Sequence, residues 1–296
     1  MSLPSKTFND LALVKQSVVS ISPETTIEAA LKTMASNNVL TLPITSRAFP
    51  NKFIYILSTL DILLFVVARE KGGSLDLSLT VEEAMTMDAE MESYRVFERD
   101  FRDTIESTML AFAQGLHRAL ITDALNVKPA MVVTQRDIIG YIRANAANLH
   151  IPALSNTLQE LGLVTNNVKT MSSSQTARQG YNSMAGAKIL ALPVVNDAGL
   201  VVATLSASDL RGLTKETLHF VGLNVLEFLE KMHTNSKQES TSSLAPSDTL
   251  QSAVEMLISR DVHRLWILDA MLRPVGVVSQ SDVISATLGL SGLHRK

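Results

Sequence analysis

Apolar and small positions along this chain fall into a helical pattern four times. The sets are Ile27, Ala30, Leu31, Met34, then Ile105, Thr108, Met109, Phe112, then Ala177, Gly180, Tyr181, Met184, and last Leu250, Ala253, Val254, Leu257. Each follows the i, i+3, i+4, i+7 spacing that lines one face of an amphipathic helix. Thr25, Asp103 and Asp248 stand two residues ahead of their helices and are expected to cap them, with Ser174 and Gln175 near that place in the third set. Behind each helix come two short β-rich runs. In the third set they are Leu190–Val195 and Leu200–Leu205 around the turn Asn196-Asp197-Ala198-Gly199, and in the fourth Arg264–Leu268 and Val275–Val278. Lengths and turn residues suit an antiparallel hairpin. A second helix is expected after each hairpin, over 62–68, 138–142, from Leu210 onward and over 283–288. A short extended segment such as Val18-Val19-Ser20-Ile21 stands in front.

A polar quartet marks each passage from hairpin to second helix. The four read Ser58-Thr59-Leu60-Asp61, Thr134-Gln135-Arg136-Asp137, Ser206-Ala207-Ser208-Asp209 and Ser279-Gln280-Ser281-Asp282, with the aspartates 76, 72 and 73 residues apart. The first helical position lies 34 residues ahead of Asp61 and 32 ahead of the other three aspartates, so the first repeat carries two extra residues, placed in its loop over 47–52. Such a repeat decides the fold class before any single motif does. Each unit reads β-α-β-β-α, an α+β arrangement. At about 50–60 structured residues it buries little surface alone, so it is expected to pair with a neighbour. Repeats are assigned to 8–70, 78–146, 152–232 and 238–291, with boundaries near Glu70–Ser74, Ala146–His150 and the Ser/Thr-rich stretch His233–Ser243.

Two chemistries fit the quartets. A carboxylate can accept both adjacent hydroxyls of a ribose, with the Ser or Thr three residues earlier as a second polar contact. The same residues can instead cap the helix, whose dipole also favours an Asp there. Repetition in register leaves both open, because a structural cap would repeat as well. Repeats two and four also carry cationic pairs, His117-Arg118 and His263-Arg264, 20 and 19 residues ahead of Asp137 and Asp282. Repeats one and three have Leu40-Thr41 and Leu190-Ala191 there. Imidazolium and guanidinium donate charge-assisted hydrogen bonds to phosphate. The competing reading is an Arg stem snorkelling from a strand end beside a satisfied His.

The register of helix, hairpin, quartet and helix resembles the cystathionine-β-synthase (CBS) domain, in four tandem copies over nearly the whole chain. Four copies in one short chain resemble the gamma (SNF4-like) regulatory subunit of the AMP-activated, SNF1-type protein kinases. Leu205–Gly212 and Gly115-Leu116-His117-Arg118 are most similar to a gamma-like group of plants and fungi. The resemblance implies two Bateman pairs, repeats one with two and three with four, in a flattened disc. It implies a regulatory subunit that senses AMP, ADP or ATP beside kinase alpha and beta subunits. Ser58, Asp61, Thr134, Asp137, Ser206, Asp209, Ser279, Ser281 and Asp282 would then serve the ribose. His117, Arg118, His263 and Arg264 would face phosphates, joined by Arg136 at a position often basic in that family. Two departures stand out. Leu40 replaces an Arg of the gamma subunits, and Asp137 is present where animal gamma subunits tend to lack the ribose-binding Asp. A CBS scaffold, or a regulator of another enzyme such as a phosphatase, with vestigial pockets is the alternative.

Composition narrows the remainder. The 296 residues match two domains of about 150, and 46% hydrophobic content suits a packed core. A net charge of −3 offers nucleic acid or an anionic membrane no general attraction. Without cysteine there is no disulfide, thiol nucleophile or Cys-based metal site. The start, Met1–Lys6, lacks a secretory apolar core, and the longest apolar stretch, Ile54–Ala68, contains Asp61 and is too short to span a bilayer. A soluble intracellular protein, cytoplasmic and with access to the nucleus, is expected. His150, His219, His233 and His294 show no metal-ligand spacing, and no phosphate-binding Gly-rich loop or nucleophile elbow occurs. No cofactor, metal or catalytic residue is assigned, and fewer than about 15 residues ahead of the first repeat leave no space for a catalytic domain. The 12 methionines read as core filler. The helix-like stretch over 220–229 reads as packing between repeats.

Overall fold

Four times the chain runs from helix through hairpin to a polar helix start. In repeat 1, α1 (Ile27–Ser36), β1 (Thr41–Thr45), β2 (Phe53–Ser58) and α2 (Thr59–Ala68) are followed by a short α3 (Val81–Met85). Repeat 2 comprises β3 (Glu98–Asp100), α4 (Glu106–Ala113), β4 (Arg118–Thr122), β5 (Met131–Thr134) and α5 (Gln135–Asn145). Repeat 3 comprises β6 (Met171–Ser172), α6 (Ala177–Ala187), β7 (Ala191–Val195) and β8 (Val201–Ser206), with α7 (Val225–Met232) further on. Repeat 4 comprises β9 (Ser243–Leu244), α8 (Leu250–Ser259), β10 (Arg264–Leu268), β11 (Pro274–Ser279) and α9 (Gln280–Thr287). This computed structural model describes residues 3–13, 18–49, 52–70, 76–85, 96–125, 127–233 and 243–290. The loop assigned to His233–Ser243, the boundary over 71–74, Pro50, Asn51 and His294 lie wholly or largely outside the described residues.

Every residue of the four periodic sets is buried. The caps lie one residue later than expected. Thr26, Thr176 and Thr249 accept the backbone N–H of Ala29, Gln179 and Ser252 at 3.2, 3.3 and 3.2 Å. In repeat 2 the cap position is Ile105, with no side-chain cap bond. Asp103, Gln175 and Asp248 instead accept the N–H of Asp100, Ser172 and Ala245 at 2.9, 2.9 and 2.7 Å. They close the turn ahead of the helix, and Thr25 only lends its carbonyl to the Val81 N–H at 2.8 Å. Short polar side chains bond to nearby backbone in either geometry, so composition places the turn and not the cap residue.

Repeat 3 departs from expectation again after Asp209. Residues Ala207–Leu210 make one 3-10 turn in place of an α-helix, and Gly212 follows at φ +79°. A left-handed residue one turn in stops propagation, and Gly takes that conformation without a Cβ penalty.

Each hairpin is antiparallel. In repeats 2, 3 and 4 a short leading strand pairs parallel to the first hairpin strand, and in repeat 1 a bridge from Ile21 to Ile44 does the same.

The repeats share cores out of chain order. One compact unit holds residues 1–18, 97–168 and 242–296, and the other holds 19–96 and 169–241. Repeat 2 therefore shares a unit with repeat 4, and repeat 1 with repeat 3, where chain order suggests one with two and three with four. In the first unit α4 and α5 pack on α9, and α5 packs on α8. In the second, α2 packs on α6 and on the 3-10 turn 207–210. Each unit has one continuous apolar core, around Ile105, Phe112, Ile138, Leu257 and Ile284 or around Ile27, Phe65, Tyr181 and Phe228. Full burial of such side chains contributes about 1.5–3 kcal/mol each, which a lone repeat could not collect.

Residues outside the helix–hairpin–helix segments complete these cores. Leu3, Phe8 and Leu11 join repeat 2, and α7 buries Val225, Phe228 and Leu229 against repeat 3. Beside repeat 4, the N–H groups of Thr165 and Asn166 both donate to the Val275 carbonyl at 2.9 Å. A methyl added at Gly276 would overlap the Leu163 carbonyl oxygen. Gly276→Ala should therefore destabilise the protein by about 1–3 kcal/mol in urea unfolding, because backbone cannot yield as a side-chain tip does.

Candidate functional site

All four quartets form helix caps. The Ser58 N–H and hydroxyl donate to Asp61 Oδ2 at 2.8 and 2.7 Å, and the Asp61 N–H returns a bond to Ser58 Oγ at 3.1 Å. Thr134 donates to Asp137 Oδ2 at 2.7 and 2.8 Å. Ser279 donates to Asp282 Oδ2 at 2.8 and 2.6 Å. In repeat 3 the Ser206 N–H donates to Asp209 Oδ2 at 2.6 Å, while its Oγ accepts from the Ser208 N–H at 3.1 Å. These are reciprocal capping boxes, and each engages one carboxylate oxygen. The cap is therefore a real function of every quartet aspartate.

Hairpin register sets what faces each cap. Thr41, Arg118, Ala191 and Arg264 lie directly across from Ser58, Thr134, Ser206 and Ser279. The carbonyls of Leu40, His117, Leu190 and His263 accept the N–H of the first residue of the following helix or turn, at 2.9, 3.2, 2.9 and 3.1 Å. In repeats 2 and 4 an arginine stem thus starts about 5 Å from the quartet hydroxyl residue, with a histidine beside the helix start.

The electrostatics of these cations is strained. Arg264 Nε is buried with no hydrogen-bond partner. Burial pulls the guanidinium pKa down to about 10, against the opposing pull of Asp282. Burial also presses the His263 pKa down to about 4, helped by Arg264, His117 and Arg118, while a hydrogen bond with Gln280 acts the other way. His263 is nonetheless exposed to solvent, which weakens the desolvation; the gathered positive charge of Arg264, His117 and Arg118 lowers its pKa in the same direction. His117, Arg118, Thr134, Asp137, His263, Arg264, Ser279, Ser281 and Asp282 fall in one unit, and Ser58, Asp61, Ser206 and Asp209 in the other.

Four of the quartets' inner residues do other work. Ser281 is buried, and its Oγ accepts from Gln135 Nε2 at 2.7 Å, across the seam between repeats 2 and 4. The same amide faces the Phe112 and Leu116 carbonyls at 3.0 and 2.9 Å. Gln280, the counterpart of Gln135, sends Nε2 to the Val262 carbonyl at 3.3 Å and turns Oε1 toward His263 Nδ1 at 3.4 Å. Arg136 reaches the end of α8, pairing with Asp261 at 2.7 Å and donating to the Ile258 carbonyl at 3.3 Å. That is a favourable place for a cation, since α8 ends there with exposed carbonyls. Both glutamines follow the quartet hydroxyl directly, and their matched position was the only sequence signal for this seam.

Residues 10–68 and 240–289 match the model of the CBS domain. These two stretches are CBS domains. It is similar to the SNF1-related protein kinase regulatory subunit gamma-like PV42a of Arabidopsis thaliana, 23% identical over 94% of this chain and 93% of that protein. It is similar also to 5'-AMP-activated protein kinase subunit gamma-3 of Sus scrofa, 26% identical over 61% of this chain and 35% of that one. Among solved structures, a protein of Methanocaldococcus jannaschii described as a candidate archaeal homologue of g-AMPK gives a TM-score of 0.71 at 21% identity, over 95% of this chain and 99% of its own. The shared fold thus extends over repeats 2 and 3, which the domain model leaves unmatched.

One contact of this chain was invisible in its sequence. His233, just past α7, places Nε2 3.0 Å from Asp209 Oδ1, and that bond raises the imidazole pKa against partial burial. Nothing in the spacing of a lone His 24 residues beyond Asp209 signals it. Among the described residues no group of three or more His, Asp or Glu side chains could hold a metal ion, and no helix is long and apolar enough to cross a membrane.

Proposed function

We propose that this CBS-domain protein is a non-catalytic regulatory subunit that binds AMP, ADP and ATP and acts with the alpha and beta subunits of an SNF1/AMPK-type protein kinase. The observation that carries the reading is the meeting of two His-Arg pairs within one unit. His117 and Arg118 are near enough to His263 to lower its pKa, and Arg264 is buried short of a hydrogen-bond partner. A phosphate would satisfy such a cluster, while Asp137 and Asp282 stand across the hairpin ends for a ribose. Similarity to kinase gamma and gamma-like subunits supports the kinase partnership. A nucleotide would then act by binding one partner-bound state more tightly than another. A scaffold with vestigial pockets, or a regulator of another enzyme, is favoured by one observation, the capping role of all four aspartates.

Titration calorimetry with AMP, ADP and ATP separates the two. His263 has a depressed pKa, so it is neutral near pH 7 in the free protein. A phosphate anion beside it favours the imidazolium, so binding near pH 7 should take up a fraction of a proton. Repeating the titration in two buffers of different ionisation enthalpy measures that uptake. Absence of heat with all three nucleotides would favour the scaffold. Co-purification with kinase alpha and beta subunits tests the partner.

A further inference from the structure

Asp209 is held from both sides. Its Oδ2 accepts the Ser206 N–H at 2.6 Å, and its Oδ1 faces His233 Nε2 at 3.0 Å. The fold delivers that imidazole by construction. Helix α7 buries Val225, Phe228 and Leu229, and the Phe228 ring meets Tyr181 edge-on at 5.9 Å. Tyr181 in turn donates its hydroxyl to the Ser206 carbonyl at 3.2 Å. His233 follows at the end of α7, with its backbone N–H on the Leu229 carbonyl at 3.0 Å. The imidazole is therefore anchored to the same junction whose carboxylate it meets.

A ribose diol needs acceptor capacity on one carboxylate. At Asp209 the cap engages one oxygen and His233 the other. We propose that His233 is a specificity-determining residue of the repeat 3 site, an internal occupant of Asp209 that a ribose diol must displace. The proposal rests on the reading of Asp209 as a ribose acceptor. It makes repeat 3 selective for ligands whose diol outcompetes an imidazole, and it couples their entry to release of the end of α7.

The occupant is also sensitive to pH. The His233 pKa is raised, chiefly by its bond to Asp209. The pair is therefore fully formed below the ordinary imidazole pKa and is lost as pH rises through the higher folded value. Among the described residues the other titratable groups nearby are Tyr181, whose hydroxyl is held protonated by burial and by Asp209, and Lys231 on α7 itself. Lys231 lies 3.8 Å from Glu227 and 5.5 Å from the Phe220 ring centroid. Neither changes charge between pH 6 and 8.

Adenosine, which has a diol and no phosphate, is the probe, and 2',3'-dideoxyadenosine is its control. Repeat 3 is isolated from the other repeats by reading the Ser208 and Asp209 amide resonances. The His233 ring resonance is assigned by its disappearance in His233→Gln. Adenosine, and not the control, should shift that ring resonance and lower the His233 pKa toward its ordinary value. His233→Ala should bind adenosine about tenfold more tightly at pH 6, with a smaller gain at pH 8. If His233→Ala left the affinity unchanged while Asp209→Asn weakened it, the occupant role would be overturned and the ribose reading would stand. If adenosine never perturbed these amides in wild type, His233→Ala or Asp209→Asn, the ribose reading of repeat 3 would fall and the proposal with it.

Discussion

Replacing Arg118 and Arg264 together by alanine should weaken AMP binding by about a hundredfold or more and leave adenosine binding within about threefold. Hydrogen bonds to charged groups contribute about 1.5–3 kcal/mol each, and two lost guanidinium contacts give at least two decades in Kd. Adenosine has no phosphate, so it keeps its ribose and base contacts. The free protein should tolerate the change well. Arg264 Nε already lacks a partner, and burial has drawn its pKa to about 10. A phosphate beside that guanidinium would offset part of its desolvation. Calorimetry with both ligands gives the ratio, and AMP affinity should fall as salt is raised, because partly exposed charges are screened. Equal losses for AMP and adenosine would make the arginines structural and overturn phosphate recognition by these pairs.

Asp282→Ala should show two effects in one variant. Asp282 accepts both the N–H and the hydroxyl of Ser279, so its loss should cost about 1–2 kcal/mol of stability, as for other helix caps. The change also removes the counter-charge of Arg264, which leaves that buried cation less compensated. If the carboxylate holds a ribose as well, adenosine affinity should fall by a further 1.5–3 kcal/mol, roughly ten- to a hundredfold. Urea unfolding of the free protein measures the first effect and calorimetry the second. Full adenosine affinity in a destabilised variant would leave Asp282 as a cap alone.

The helix faces, the hairpins and the quartets were legible in the sequence because each is a local pattern. All sixteen positions that apolar spacing named for the first helices are buried, with Ala113 on α4 buried besides, and alternation with turn residues placed the strands within a residue or two. Repetition brought out the His-Arg pairs and their absence from repeats 1 and 3. The same reading failed wherever the deciding partner was remote or the local choice was nearly degenerate. Thr26 and Thr25, or Thr249 and Asp248, are equally good capping residues by type, and only the path of the preceding turn selects between them. Four similar apolar faces leave open which repeats share a core, and the helix contacts of α9 with α4 and α5 decide it. Gly212 ended repeat 3 after one turn, where apolar residues further on suggested a helix.

By itself, then, the sequence determined the repeat, its α+β unit and the chemical type of each junction, since these depend on neighbours within about ten residues. Only the tertiary structure decided how those junctions are used. It joined Gln135 to Ser281 across the seam of repeats 2 and 4, drew Arg136 to Asp261, and seated His233 on Asp209. Such contacts link residues with no shared periodicity. They arise from the burial of whole helices, which brings side chains together according to packing and not according to their spacing along the chain.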